Sequence, residues 1–160
     1  MLHWTAGDYR TVFPAYHFCV SGPVAVRVHA THDLRANMRD VHAAPAGTYA
    51  AHTAGRNSYC AGIAICAMQA AVPDDFGGAP LTSEQIAGLC AVAAALVRCY
   101  TIPLAQVRTH AEAAVDDGYF GAAEDERWDI ARLQPSKAAL TRAEAAAVGD
   151  QLRCQIAALL

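Results

Sequence analysis

The sequence predicts a single α/β domain: a central mixed β-sheet flanked by helices, with a helical tail at the C-terminus. Three observations carry this. A continuous apolar run over residues 61–68 suits a strand buried on both faces. Shorter β-rich runs precede it, and two capped amphipathic helices follow it. A chain of 160 residues can build one compact core and is short for two. With 54% hydrophobic and 17% charged residues it has a globular composition, not a disordered one.

In chain order, residues 2–5 open the first strand, with His3 near its end. Residues 16–20 and 24–28 form a hairpin around Ser21-Gly22-Pro23, a turn-forming triplet. Residues 29–59 carry Pro45, Gly47, Gly55 and several His and Asn, and read as long functional loops. Thr82 and Gln85 match a capping box, and Ile86, Leu89, Ala93, Leu96 and Tyr100 repeat on one face of the helix that follows. Pro103 bars its continuation. Residues 107–110 are expected to form a short strand ending on His110, and residues 115–126 a loop over the site. Thr141 and Glu144 form a second capping-box pattern, before a stripe of Val148, Leu152, Ile156 and Leu159. Leu133-Gln134-Pro135 reads as the joint between a catalytic core, residues 1–134, and a helical extension, residues 135–160, packed on it.

The formal charge of −3 argues against a general nucleic-acid binder, and no cluster of Lys or Arg marks a membrane-surface patch. The longest apolar stretch, residues 86–97, is too short to span a bilayer. Residues 1–4 lack the basic and apolar regions of a secretory signal. The six cysteines include no Cys-x-x-Cys pair, and are expected to be reduced and mostly buried.

Several segments together resemble the zinc-dependent N-acetylmuramoyl-L-alanine amidases, whose fold is shared with peptidoglycan recognition proteins. Leu2-His3-Trp4-Thr5-Ala6-Gly7 resembles that family's first ligand strand, and Tyr16-His17-Phe18 its Tyr-His-Phe strand. Ala51-His52-Thr53, Asn57 and Ala61-Gly62-Ile63 resemble the cleft segment and the strand after it. Thr109-His110-Ala111-Glu112 resembles the second ligand motif, and Arg127-Trp128-Asp129 the Lys-x-Cys or Lys-x-Asp element. The similarity covers about residues 1–133, and Tyr49-Ala50-Ala51-His52-Thr53 with Met68 brings it nearest to the phage endolysin branch.

The resemblance implies zinc held by His3, His110 and Asp129, with Tyr16 and Arg127 as catalytic groups and His52 and Asn57 lining the substrate groove. Two neutral imidazoles and one carboxylate leave the ion cationic, with a fourth position open, as a catalytic zinc requires. Tyr16 would help position the water, and Arg127, always protonated, would steady an oxyanion or bind a peptide carboxylate. On the residues alone, Asp129 is equally a turn cap and Tyr16 equally a strand residue. Glu112 is either a carboxylate behind the ligands or a surface residue, and His17 belongs to the core or behind the ligands.

The implied substrate is peptidoglycan, cut between N-acetylmuramic acid and L-alanine. A monomer is expected, made in a host cytoplasm and acting on the wall after release, with no stable membrane insertion. Some relatives, especially intracellular recycling enzymes, carry an acidic residue just after Gly62-Ile63, where this chain has Ala64. A recycling amidase and a non-catalytic muropeptide-binding module are the alternatives.

Overall fold

The computed structural model describes residues 1–160, apart from the side chain of Glu126. Four strands, β1 (Leu2–Trp4), β2 (Phe18–Ser21), β3 (Arg27–Ala30) and β4 (Ile63–Ile65), form one sheet in the order β1-β4-β2-β3. The two pairings of β4 are parallel and the β2–β3 pair is antiparallel, so the sheet is mixed. The apolar run at residues 61–68 supplies the central strand as expected. It has neighbours on both sides and every residue of β4 is buried.

Strand alternation then divides the residues between two faces. Leu2, Trp4, Val20, Ile63 and Ile65 join the main core, where α1 (Ser83–Tyr100) contributes Leu89, Ala93 and Val97. His3, Ala64 and Cys19 lie in register across the opposite face. This inside–outside alternation is what delivers a histidine from the buried β1 to the functional side of the sheet.

The hairpin forms, but its second strand begins three residues later than expected. The connection consumes residues 22–26: Gly22 has φ +83°, and a Cβ there would meet the Ala25 carbonyl oxygen at 2.6 Å. This wider link delays pairing to Arg27. The expected strand at residues 107–110 is also corrected. It shrinks to one bridge between Leu2 and Thr109, and His110 opens a helix, α2 (His110–Asp116). Thr109 accepts a hydrogen bond from the Glu112 N–H while the Glu112 carboxylate accepts from the Thr109 N–H, a complete capping box. The loop expected over residues 115–126 accordingly starts after Asp116.

At the other two helix starts the box is half made. Thr82 and Thr141 each cap through their hydroxyl oxygens, but the partner side chains turn elsewhere. Gln85 donates to the Cys66 carbonyl, anchoring the first turn of α1 to the sheet. Glu144, in α3 (Arg142–Ala157), takes both arms of buried Arg132 at 2.9 and 2.7 Å. Arg132 also donates to the carbonyls of Pro73, Ser136 and Ala138, so a fully partnered guanidinium gathers the segment that leads into α3. Ala145, Val148, Leu152 and Ile156 bury the face of α3 that packs on α1 and α2, whereas Leu159 is exposed. The six cysteines are free thiols, with Cys19, Cys66 and Cys90 buried. Among the described residues no helix is long and apolar enough to cross a membrane.

Candidate metal centre

His3, His110 and Asp129 meet at the end of the sheet, all three buried, with one potential ligand atom from each lying within 4.8 Å of the others. They arrive from β1, from the first turn of α2 and from the segment after a 3-10 turn at Asp125–Arg127. Backbone hydrogen bonds bind these supports together: Leu2 N–H donates to the Arg108 carbonyl and Ala111 N–H to that of Asp129, each at 2.8 Å. Asp129 Oδ1 accepts the Trp4 N–H at 2.7 Å, which turns Oδ2 toward the imidazoles. Oδ2 lies 2.9 Å from His3 Nδ1 and 3.3 Å from His110 Nδ1. The next residue, Ile130, is held at φ +57°. A β-branched residue rarely adopts that region, and the strain, about 1–3 kcal/mol, sits beside the carboxylate.

The other ring nitrogens have partners that accommodate the tautomers a metal requires. His52 Nε2 faces the Cys60 carbonyl at 3.3 Å, and a carbonyl can only accept, so Nε2 carries the proton. Burial, with His3 nearby, pushes His52 down to about 2, so the ring is neutral and its Nδ1 is an acceptor. The Thr53 hydroxyl, 3.0 Å away, donates to that nitrogen. Its oxygen is then free to accept from His3 Nε2 at 3.3 Å. Burial outweighs the attraction of Asp129 and pushes His3 down to about 4, so this ring too is neutral. With its proton on Nε2, the ring presents the Nδ1 lone pair toward Asp129, as metal binding requires; with its proton on Nδ1 it donates to Asp129 Oδ2. At His110, Nε2 meets the Tyr119 hydroxyl at 2.9 Å; in the tautomer that donates to that oxygen, His110 Nδ1 turns its lone pair inward as well.

In these tautomers the lone pairs of three donors converge, and the Cys60–His52–Thr53–His3 relay provides a partner for the His3 proton on the side away from Asp129. Two of the three separations, 2.9 and 3.3 Å, are close to the edge of a tetrahedron, about 3.3 Å, expected when ligands bind zinc at about 2.0–2.1 Å, and all three atoms lie within 4.8 Å of one another. The donor set fits a divalent cation.

A cleft of about 240 Å³ opens on this group, lined among others by Tyr16, Ala51, His52, His110, Asp125 and Asp129. The Tyr16 ring lies 5.1 Å from that of His3, and its hydroxyl donates to the Trp4 carbonyl at 3.4 Å. Two residues of the expected site sit differently. Asn57 holds the cleft loop, its Oδ1 accepting the N–H groups of His52 and Thr53 at 3.0 and 2.9 Å. Arg127 faces solvent in part and pairs with Glu124 at 3.3 Å. His17 is buried behind the site, accepting from Gly62 N–H and contacting Asn37.

Thr53, Tyr119 and Asp125 escaped the sequence reading. Thr53 stands inside the segment Ala51-His52-Thr53 that carried the resemblance, so its signal was present. Tyr119 and Asp125 lie in an Asp-, Gly- and Ala-rich stretch with no periodicity to orient them.

Gly62 completes the relay. A Cβ at this position would lie 2.5 Å from His52 Cγ, so only glycine lets the imidazole pass. Gly62→Ala is expected to cost about 1–3 kcal/mol by overpacking. Chemical denaturation measures it, and an unchanged midpoint would show that the ring yields without loss.

A buried two-histidine, one-carboxylate group at the end of a mixed sheet makes this an α/β domain with a candidate metal centre. The family model for N-acetylmuramoyl-L-alanine amidases matches residues 1–128, and the chain belongs to that family. No curated protein and no solved structure gives a significant match to it. The family supports hydrolysis of the amide between N-acetylmuramic acid and L-alanine in peptidoglycan. The family match ends one residue before Asp129.

Proposed function

We propose that the chain is a zinc-dependent amidase that degrades cell-wall peptidoglycan as a phage endolysin, with His3, His110 and Asp129 as the metal ligands. The observation that carries the zinc dependence is the convergence of buried His3, His110 and Asp129, whose potential ligand atoms lie within 4.8 Å of one another while the outer nitrogens of both rings have oxygen partners of their own. When bound, zinc makes water a competent nucleophile near neutral pH and stabilises negative charge on a carbonyl oxygen.

The chain's own residues supply the rest. Thr53 and Tyr119 each offer a hydroxyl oxygen to the outer nitrogen of an imidazole, which orients the ring and raises its quality as a ligand. Trp4 N–H fixes the carboxylate. The small side chains of Ala6, Ala15 and Ala51 leave room at the cleft for the peptide junction. Its volume is below the roughly 300–1,000 Å³ of pockets that swallow whole ligands, so the sugar and the rest of the peptide lie outside. Tyr16, at the wall, is placed to hydrogen-bond the attacking water or the oxyanion that develops.

The lytic role over a recycling role is supported by Ala64. This residue stands in register with His3 on the functional face, and brings no acid to the position where recycling relatives carry one. Mass spectrometry of digested sacculi tests the proposal. Free glycan strands and peptides with a new alanine amine are expected, with loss of both under a chelator and return with added zinc. Products cut elsewhere, or cleavage indifferent to chelation, would reject it. Tyr16→Phe should retain zinc and slow turnover by about 10²-fold or more, the scale of a positioned acid–base group. Unchanged turnover in steady-state assays would confine Tyr16 to packing.

A further inference from the structure

The C-terminal helix, outside the family match, reaches the helix that carries His110 through one carboxylate. Glu112 is buried. Its Oε2 accepts the Thr109 N–H at 2.8 Å, fixing the cap from which His110 follows. From α3, Arg153 grips the same carboxylate with both arms, Nη1 to Oε2 at 3.0 Å and Nη2 to Oε1 at 2.9 Å. The fork is itself anchored, donating to the Val107 carbonyl at 2.9 Å and to Asp150 at 2.8 Å. Gly149, one turn earlier on α3, provides the seat: a Cβ there would lie 2.4 Å from the Glu112 carboxyl carbon. Arg108 adds a further charge, 3.6 Å from Oε1.

A bidentate Arg–carboxylate pair with little solvent around it is among the stiffer polar contacts available to a protein. Here one partner, Glu112, is itself the residue that closes the capping box, on a helix of two turns whose first turn carries His110. The arrangement exceeds what docking α3 requires. Its apolar stripe already buries Leu152 and Ile156, and Arg98 pins its far end through the Leu159 carbonyl at 2.8 Å.

We infer that Arg153 and Gly149 of α3 are positioning residues for the metal ligand His110, acting through Glu112 and the Thr109 cap. The inference rests on the zinc reading for its metal readout, and on geometry alone for its metal-free one. With the fork in place the first turn of α2 has a single orientation, and His110 Nδ1 faces Asp129. Without it Glu112 keeps only Thr109 and the more distant Arg108, and the turn gains freedom.

The experiment compares full-length wild type with Arg153→Met, Gly149→Val and, as a control that loosens α3 elsewhere, Arg98→Met. Zinc affinity is read by chelator competition, and the His110 ring signals by NMR in the metal-free protein. Arg153→Met and Gly149→Val should weaken zinc by about 10–100-fold, the scale for losing a group that orients a ligand, and should shift or broaden the His110 ring signals. Arg98→Met should lower the unfolding midpoint while leaving both readouts at wild-type values. Wild-type zinc affinity with unmoved His110 signals in Arg153→Met would overturn the inference, as would equal effects from Arg98→Met. If Gly149→Val does not fold, Arg153→Met alone decides it. A wild type that takes up no zinc would defeat the zinc reading instead, leaving the His110 signals to judge the positioning claim.

Discussion

Asp129→Asn is expected to abolish hydrolysis and weaken zinc binding by more than about 100-fold, beyond the 10–100-fold typical of groups that only orient ligands. The substitution preserves size and an oxygen for the Trp4 N–H, so the fold has little reason to change. It removes the proposed anionic ligand and replaces Oδ2 by an amide NH₂ that can donate to the lone pairs His3 and His110 turn inward in their metal-binding tautomers. The metal-free variant should therefore unfold at the same temperature as the metal-free wild type or above it, while binding zinc far worse. Opposite movements of these two quantities separate a site built for a cation from a carboxylate that merely braces two histidines. In the bracing case Asn would lower the unfolding temperature, because a buried ionic contact would be lost. Differential scanning calorimetry and chelator competition on the same preparations give both numbers.

The second large effect is acid lability of the metal-free protein. Burial pushes His3 and His17 down to about 4 and His52 down to about 2, from an ordinary value of 6.5. As pH falls below 6.5 the unfolded chain takes up protons at these three positions while the folded chain does not. Stability contributed by the neutral rings is thus complete above pH 6.5 and drains away toward pH 4 for His3 and His17 and toward pH 2 for His52, the reverse of the behaviour of a histidine raised by a carboxylate partner. Unfolding should take up close to three more protons at pH 5 than at pH 8, and the midpoint should drop steeply across that interval. Denaturant titrations at half-unit pH steps measure this. A flat midpoint from pH 7 to 4.5 would mean that the three rings are already charged in the folded protein, and that the relay as drawn is wrong.

What the sequence revealed and what it hid follow from the range of the interactions. The placement of His3 on the functional face is legible because β1 alternates within three residues, between Leu2 and Trp4. The central strand is legible because being covered on both sides demands an unbroken apolar run. The start of α2 was equally written, as Thr109-x-x-Glu112. The β-branched residues before it and the brevity of the helix masked it, since two turns leave almost no periodicity to read. Thr53 and Tyr119 act across 50 and 9 residues of chain, and nothing local marks either as the partner of a histidine. Arg132 and Arg153 look like surface charges until the fold brings carboxylates and carbonyls to them.

The resemblance drawn from short segments found the amidase family and the three converging side chains. It gave no reason for the third of these to be an aspartate. The structure supplies that reason in Trp4 N–H, Ala111 N–H and the strained Ile130 backbone, which together present Oδ2 to both imidazoles. Arg127 ends in a surface pair with Glu124, and Asn57 in the turn that carries His52 and Thr53. Asp125, which the sequence reading passed over, lines the cleft with a carboxyl raised by burial and by Asp129.

The most direct measurement of the central claim is X-ray absorption at the zinc edge on protein loaded with one equivalent of metal. Two imidazole nitrogens and one carboxylate oxygen at about 2.0–2.1 Å, with a further light atom and no sulfur, are the predicted shell. A sulfur scatterer at about 2.3 Å, or a shell that keeps both imidazoles in Asp129→Asn at full affinity, would contradict it.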